Sequence, residues 1–468
     1  MTGPAHDLPL AELAAAVGDP ARVSQGESIR ALHGEDASAL GPLPPDAVVL
    51  ARSEDDVRAV LRACSSARVP VIPYGAGTST DGHVLAPHGG VSLDLGEMDE
   101  IVELDAGNMT ATVQPGVRRL ALERAAGELG LSFPIDPGAD ASIGGMIATN
   151  ASGTTTVRYG SMRHQVLALR VVLADGSVLR TGSRARKSSA GYDLTSLFVG
   201  SEGTLGVVTE ATLRLHGIPE HTAVLRALFA DVESACRVAA RCMAAGLAVS
   251  RLELLDGACV AAINAYEGRD DPEVPCLLVE STGGREAVES EIAVIEQIAR
   301  EEGGEGFETF ADATALARLW RARHNSAHAI RAAAPGKHPH ATDVCVPVAE
   351  LPGAVAHARA LLDREGVDAI VAGHAGDGNY HAVYMVDLDS PDEVRRAERI
   401  DAALVEHALS VGGTCSGEHG IGLGKKRFLE AEHGDLLPHL RAIKAAFDPL
   451  GILNPGKVFE AEPGGVVV

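Results

Sequence analysis

The sequence predicts an α+β protein built in two modules, on three observations. Residues 91–216 read as successive strands punctuated by glycine and turn residues. At Ile218-Pro219 the text changes to Ala-rich helices alternating with short strands. No fixed-period repeat or low-complexity tract divides the chain in any other way. With 468 residues, a single small module is excluded. In order, Val57, Val60, Leu61 and Cys64 fall at helical spacing behind Ser53, an N-cap residue type, and this helix should stop before Val69-Pro70. VPVIP is a short strand running into PYGAGTSTDGH. SLDL, TATVQPG, LALRVVLADGSVLRTG (folded back at Asp175-Gly176) and VVTEATLRLH are strands, an order that is α+β and not alternating βαβ. Beyond residue 218, ESACRVAARCMAAG, EAVESEIAVIEQIAREEG and ATALARLWRARHNSAHAI read as helices, and CLLVES, DVCVPV and DAIVAG as strands. The tail IKAAFDPLGILNPGKVF returns to Pro and Gly turns and should fold back on the first module. The expected boundaries are 1–218, with 447–468 returning to it, and 219–446.

Composition narrows the class. A formal charge of −24 repels phosphate backbones and anionic lipid heads, so nucleic acid is not expected as a partner. Aromatic residues are only 3% of the chain while glycine contributes 52 residues, which directs attention to backbone amides as ligand-binding groups. The 7 cysteines are odd in number, scattered and without a C-x-x-C pair, so a disulfide framework and a thiolate metal site are not indicated and a reducing compartment fits. The first residues lack the basic start and apolar core of a signal peptide, and no run approaches the ~18 apolar residues of a membrane span. The expectation is a cytoplasmic protein, with a peripheral membrane contact left open.

Three glycine runs carry the first chemistry. PYGAGTSTDGH offers Gly75, Gly77 and Gly82 with hydroxyls at Thr78, Ser79 and Thr80, a composition able to curl N–H groups around a phosphate. It is not the dinucleotide fingerprint: Thr80 stands where the third glycine belongs, and VLAPHGG follows in place of a helix. Alone, the segment suits a surface turn equally well. IDPGADASIGGMIATNASG, from Ile135 to Gly153, shifts the balance, because small side chains there let backbone approach a flat or phosphorylated ligand. GSEGTLGVVTEATLRL feeds a third such loop into a strand.

A second cluster lies in DAIVAGHAGDGNYHAVYMVD. If Asp377-Gly378 forms a two-residue hairpin loop, Gly376 faces Asn379, Ala375 faces Tyr380, and His374 faces His381, so two imidazoles can share a cation. A helix would also bring positions seven apart to one face, but two glycines in GDG oppose it. GGTCSGEHGIGLGKK adds Glu418 and His419 on a backbone with little side-chain cover. Two His and one carboxylate leave coordination positions open, as in a catalytic metal site. A single histidine among 18 is more often solvated or packed in a core. In LWRARHNSAHAIRAAAPGKHPHATDVCVP, Trp320 and Arg323 lie at i, i+3 of a helix, where a guanidinium suits either a carboxylate ligand or a surface salt bridge.

These runs, with V-R-Y-G and A-G-Y-D-L-T, together resemble the FAD-linked D-lactate and D-2-hydroxy-acid dehydrogenases over about residues 45–459. The resemblance implies an α+β fold with a two-subdomain vanillyl-alcohol-oxidase type FAD-binding domain and an α+β cap (substrate) domain with an antiparallel sheet. It implies FAD held by Pro73, Gly75, Ala76, Gly77, Thr78, Ser79, Gly82 and His83; by Pro137, Gly138, Ala141, Ser142, Gly144, Gly145, Ala148, Asn150 and Gly153; and by Glu202, Gly203, Gly206, Val207, Val208 and Asn454. It further implies a divalent metal (Zn, Mn or Fe) on His374, His381 and Glu418, with His419 as base, Arg323 on the substrate carboxylate and Asn379 in contact with substrate. Two positions depart from the pattern. Ala327 replaces a tryptophan, which suggests a roomier pocket. Ala341 stands near a lysine of the 2-hydroxyglutarate enzymes, a cation for which Lys337 or His340 is the available substitute.

The implied reaction is oxidation of a D-2-hydroxy acid to the 2-oxo acid, with electrons passed to a cytochrome, quinone or flavoprotein, and a homodimeric state left open. A glycolate oxidase flavin subunit and a D-2-hydroxyglutarate dehydrogenase are alternatives. A metal-dependent hydrolase accounts for the His and Glu residues but not for the glycine runs, and a binding module without chemistry leaves His374, His381, Glu418 and His419 without a purpose.

Overall fold

The computed structural model describes residues 7–460. The described residues divide into two compact units, one comprising residues 7–152, Gly160–Ile218 and 418–460, the other Gly153–Tyr159 and Pro219–Gly417.

Among its described residues the first unit holds two larger sheets and a two-stranded antiparallel pair, Leu131–Ser132 with His216–Gly217. In one, Val23–Ser24, Ala47–Leu50, Val91–Asp94 and Val71–Tyr74 lie side by side, and the last three are parallel. The helix Glu54–Ala67 makes the crossover between Ala47–Leu50 and Val71–Tyr74. Ser53 caps that helix by accepting from the Asp56 N–H at 3.1 Å, and Arg68 closes it in a left-handed conformation before Pro70. Val57, Val60, Leu61 and Cys64 are fully buried on one face against the sheet. A parallel βαβ crossover is therefore present where none was expected. AVVL is buried on both faces and carries no alternation, so pattern reading passed over it. The second sheet is antiparallel, in the order Ile101–Asp105, Thr110–Val113, Val207–Arg214, Val166–Val172, Val178–Gly182. The tail runs alongside the first sheet: Val71 N–H donates to Ile452 at 2.8 Å and Asn454 N–H to Val71 at 2.8 Å. The return begins earlier than the expected residue 447, because Ile421 and Gly422 N–H groups bind Glu202 and Leu423 N–H binds the Asp81 carbonyl. Residues 1–6 and 461–468 of the expected first domain lie outside the described residues.

The second unit is one eight-stranded antiparallel sheet, in the order Glu305–Phe310, His221–Leu228, Cys276–Gly283, Val249–Leu255, Ala369–His374, Asn379–Val386, His338–Ala341, with Val344–Cys345 also paired to Asn379–Val386. Helices Gly257–Glu267, Ala313–His324 and Ser326–Ala333 bury Val260, Ile263, Leu319, Trp320 and Ile330 in a common core; the long helical run expected at residue 313 is broken into two at Asn325. Five buried thiols, at Cys64, Cys236, Cys242, Cys259 and Cys276, are pushed up to about 12 by burial, which removes them as nucleophiles.

The histidine hairpin differs in register from expectation. His374 pairs with Asn379 and Ala372 with His381, so the loop has four residues, 375–378, not two. Its third strand explains the shift: Val344 and Cys345 pair with Tyr380 and Asn379, Val346 N–H donates to the Gly378 carbonyl at 3.0 Å, and the Cys345 thiol reaches the Asp377 carbonyl at 3.3 Å. The two histidines remain on one face as diagonal neighbours, with ring centroids 5.8 Å apart and planes at 82°. Gly378 has φ +86°, and a Cβ there would stand 2.0 Å from the Val346 carbonyl. Gly378→Ala should therefore lose more than the roughly 1–2 kcal/mol of left-handed backbone strain alone, read as a lowered urea midpoint; an unchanged midpoint would contradict this account of the turn.

Candidate active site

In the first unit, part of each glycine run lines one cleft. The 73–79 loop forms one side, the start of the Ile143–Thr149 helix another, and Glu202, Gly203 and Asn454 close it. Absence of side chains is what opens it: a Cβ on Gly75 would stand 2.3 Å from Ser142 Oγ, and one on Gly77, at φ +66°, would stand 2.4 Å from Tyr74 Oη. Asp36 shapes the loop, accepting from Ser79 Oγ at 2.7 Å and from the Gly82 N–H at 2.9 Å. Asn454 donates to the carbonyls of His83 (3.2 Å) and Glu202 (2.7 Å), and its own Oδ1 is buried without a hydrogen bond. Glu418 and His419 stand in the wall of this cleft, Glu418 accepting from Ser152 Oγ at 2.8 Å.

Glu202 ties the cleft together. Its carboxylate accepts from the Ile421 and Gly422 N–H groups at 2.7 and 2.8 Å, fixing the loop that carries Glu418 and His419, and its Oε2 lies 3.3 Å from Nε2 of the buried His83. Burial is the largest single influence and lowers the His83 imidazole, but the charge and hydrogen bonding of Glu202 together with the Asp81 and Asp36 charges outweigh it and hold the group above its ordinary value. Burial likewise acts to raise Glu202, and His83 with the two N–H groups holds it below the carboxylate range. The raised imidazole contributes stability that is complete below its ordinary value of about 6.5 and is lost as pH rises through the folded value. The depressed carboxylate contributes above its ordinary range and loses this only as pH falls through its folded value. The thermal midpoint of the wild type minus that of His83→Gln should thus be largest near pH 5–6.5 and shrink as pH rises. A difference that is flat with pH would show that the pair is not ionised.

In the second unit, one face of the sheet is polar at the strand ends. Glu253, wholly buried, sits directly opposite His374. Its Oε1 accepts from His374 Nδ1 at 2.7 Å, and its Oε2 accepts from Arg323 Nε at 3.0 Å and Nη2 at 2.8 Å. His381 Nδ1 donates to the Thr342 carbonyl at 3.0 Å. Asn379 spends both amide hydrogens on Asp343 (2.8 Å) and the Val344 carbonyl (2.9 Å), leaving a buried Oδ1 with no hydrogen bond. Ser416 Oγ also donates to Asp343, at 2.9 Å.

Two family models cover this architecture: the FAD binding domain at residues 45–182 and the C-terminal domain of FAD linked oxidases at residues 218–458. The chain belongs to the FAD-linked oxidases. The fold of this FAD-linked oxidase is the vanillyl-alcohol-oxidase type, α+β with an antiparallel cap sheet, and matches p-cresol methylhydroxylase with a TM-score of 0.79 at 18% identity, over 97% of each chain. A probable mitochondrial D-lactate dehydrogenase of Danio rerio is 44% identical over 94% of this chain and 89% of its own length. A mitochondrial D-lactate dehydrogenase (cytochrome) of Arabidopsis thaliana is 45% identical over 88% of this chain and 73% of its own, and a glycolate oxidase subunit of Bacillus subtilis is 37% identical over 95% of each.

The residues of this FAD-linked oxidase fit the cofactor of its family: a cleft that any Cβ at Gly75 would narrow, and a buried acceptor at Asn454 awaiting a donor. Pro73, Gly75, Ala76, Gly77, Thr78, Ser79, His83, Pro137, Ala141, Ser142, Gly145, Ala148, Glu202, Gly203 and Asn454 line the cleft, and Gly144, Gly206, Val207 and Val208 line an adjoining cavity. Gly82, Gly138, Asn150 and Gly153 line neither. Asn150 ends a helix at φ +53° and accepts from Ser161 and Arg163, and Gly153 belongs to the second unit. Lys337 is bound to Glu393 at 2.9 Å and His340 to Asp401 at 3.0 Å, so each already serves a carboxylate of its own chain. Sequence reading missed Asp36, Glu253 and Asp343. Each stands outside any motif, and only a structure brings it to its partners.

Proposed function

We propose that the protein oxidises a D-2-hydroxy acid of the D-lactate type to its 2-oxo acid, with FAD and a divalent metal. The observation that carries the reading is the place of Glu418 and His419 in the wall of the glycine cleft, where a base belongs if the cofactor lies there. Bound FAD supplies a hydride acceptor at N5, and a divalent metal supplies Lewis acidity to the hydroxyl and carboxylate oxygens. His419 takes the hydroxyl proton as C2 gives up its hydride. His374 and His381 would hold the metal through nitrogens other than the Nδ1 atoms engaged by Glu253 and Thr342, with Glu418 as the third donor. Asn379 accepts a substrate hydrogen bond at Oδ1. Arg323, gripped by Glu253 through Nε and Nη2, turns Nη1 to the substrate carboxylate; its bond to Ser326 is long, at 3.4 Å. The electrons removed from the substrate would leave to an external acceptor, a cytochrome, quinone or flavoprotein.

Anaerobic visible spectra test the reading. The purified protein should be yellow and should bleach with D-lactate and not with L-lactate. A colourless protein that FAD fails to reconstitute, or a yellow one that no D-2-hydroxy acid bleaches, overturns it. Bleaching by glycolate in preference to D-lactate would favour a glycolate oxidase subunit, the reading supported by the Bacillus subtilis relative.

A further inference from the structure

We propose that Glu253 sets the tautomer of His374, and through it the ability of His374 to bind metal; this second step rests on the metal reading above. Glu253 is a positioning residue, and three facts single it out. It is the register partner of His374, it has no exposure, and its two oxygens divide between His374 and Arg323. An ionised carboxylate is acceptor only, so Oε1 requires the proton on His374 Nδ1 and leaves Nε2 as the lone-pair nitrogen. Oε2 meanwhile takes both Arg323 donors, so the buried cation and anion neutralise each other. His381 reaches the same tautomer by another route, because its Nδ1 faces a backbone carbonyl that no side-chain substitution removes.

Glu253→Gln separates the two jobs. The amide has one oxygen, and the charged guanidinium outcompetes a neutral imidazole for it. The amide NH2 then faces His374 Nδ1, which must accept, and the proton moves to Nε2, the atom that should bind metal. Removing the competitor in Glu253→Gln/Arg323→Met lets the amide turn its oxygen back to His374. The test uses the full chain loaded with FAD, stripped of metal, with imidazole 15N spectra assigned through His374→Ala, followed by titration with Zn²⁺ against a chromophoric chelator. Expected are Nδ1–H at His374 in the wild type, Nε2–H in Glu253→Gln and Nδ1–H again in the double variant, with His381 unchanged throughout. Zn²⁺ affinity should fall about 10–100-fold in Glu253→Gln and recover in the double variant although turnover does not. An unchanged tautomer in Glu253→Gln overturns the proposal, as does a double variant that binds Zn²⁺ as weakly as the single one. If wild type and His374→Ala take up Zn²⁺ equally, the metal reading fails, and the 15N spectra alone then decide whether Glu253 sets the tautomer.

Discussion

Replacing His419 by alanine should leave FAD in place and slow its reduction by substrate by about 10²–10⁴-fold, the usual worth of a positioned base. Retention follows from construction: the cleft owes its shape to Gly75, Gly77, Ser142 and Asn454, and none of these contacts passes through the His419 ring. The loss follows from placement, since His419 stands in the cleft wall on a loop pinned by Glu202 from the Ile421 and Gly422 amides. Stopped-flow bleaching under anaerobic conditions measures the step directly. Reduction at the wild-type rate would remove His419 from the mechanism and return the search for a base to the other donors around the cleft.

The second large effect is expected from the metal. Dialysis against a chelator should abolish substrate-dependent bleaching while the flavin absorbance persists, and added Zn²⁺ or Mn²⁺ should restore it. A Lewis acid contributes several kcal/mol to such a step, which corresponds to roughly 10²–10³-fold or more in rate. His381→Ala should behave as the chelated protein does and resist restoration. Full bleaching after exhaustive chelation would leave Arg323 and Asn379 as the groups that orient substrate and would set the metal reading aside.

The legibility of this chain follows from the range of the forces involved. Ser53 with its helix, the Asp175-Gly176 turn and the alternating Val207–Arg214 strand were readable because capping, turn chemistry and period-two burial act over a few neighbouring residues. The glycine-lined cleft was readable for a different reason: close backbone approach forces glycine, and glycine in runs leaves a mark in the sequence. The hairpin register was not, because its loop length is set by Val344 and Cys345, some thirty residues away in sequence. Nor were Asp36, Glu253 and Glu202 as positioning groups, since a carboxylate that braces distant segments looks in sequence like any other acid.

Asn454 joins segments made at opposite times in synthesis. The glycine cleft opens at residue 73 and is latched by the side chain of Asn454, through bonds to His83 and Glu202 and a backbone bond to Val71. Synthesis from the N-terminus makes the 73–83 loops long before Asn454, so their latch is the last part of the cleft to be made.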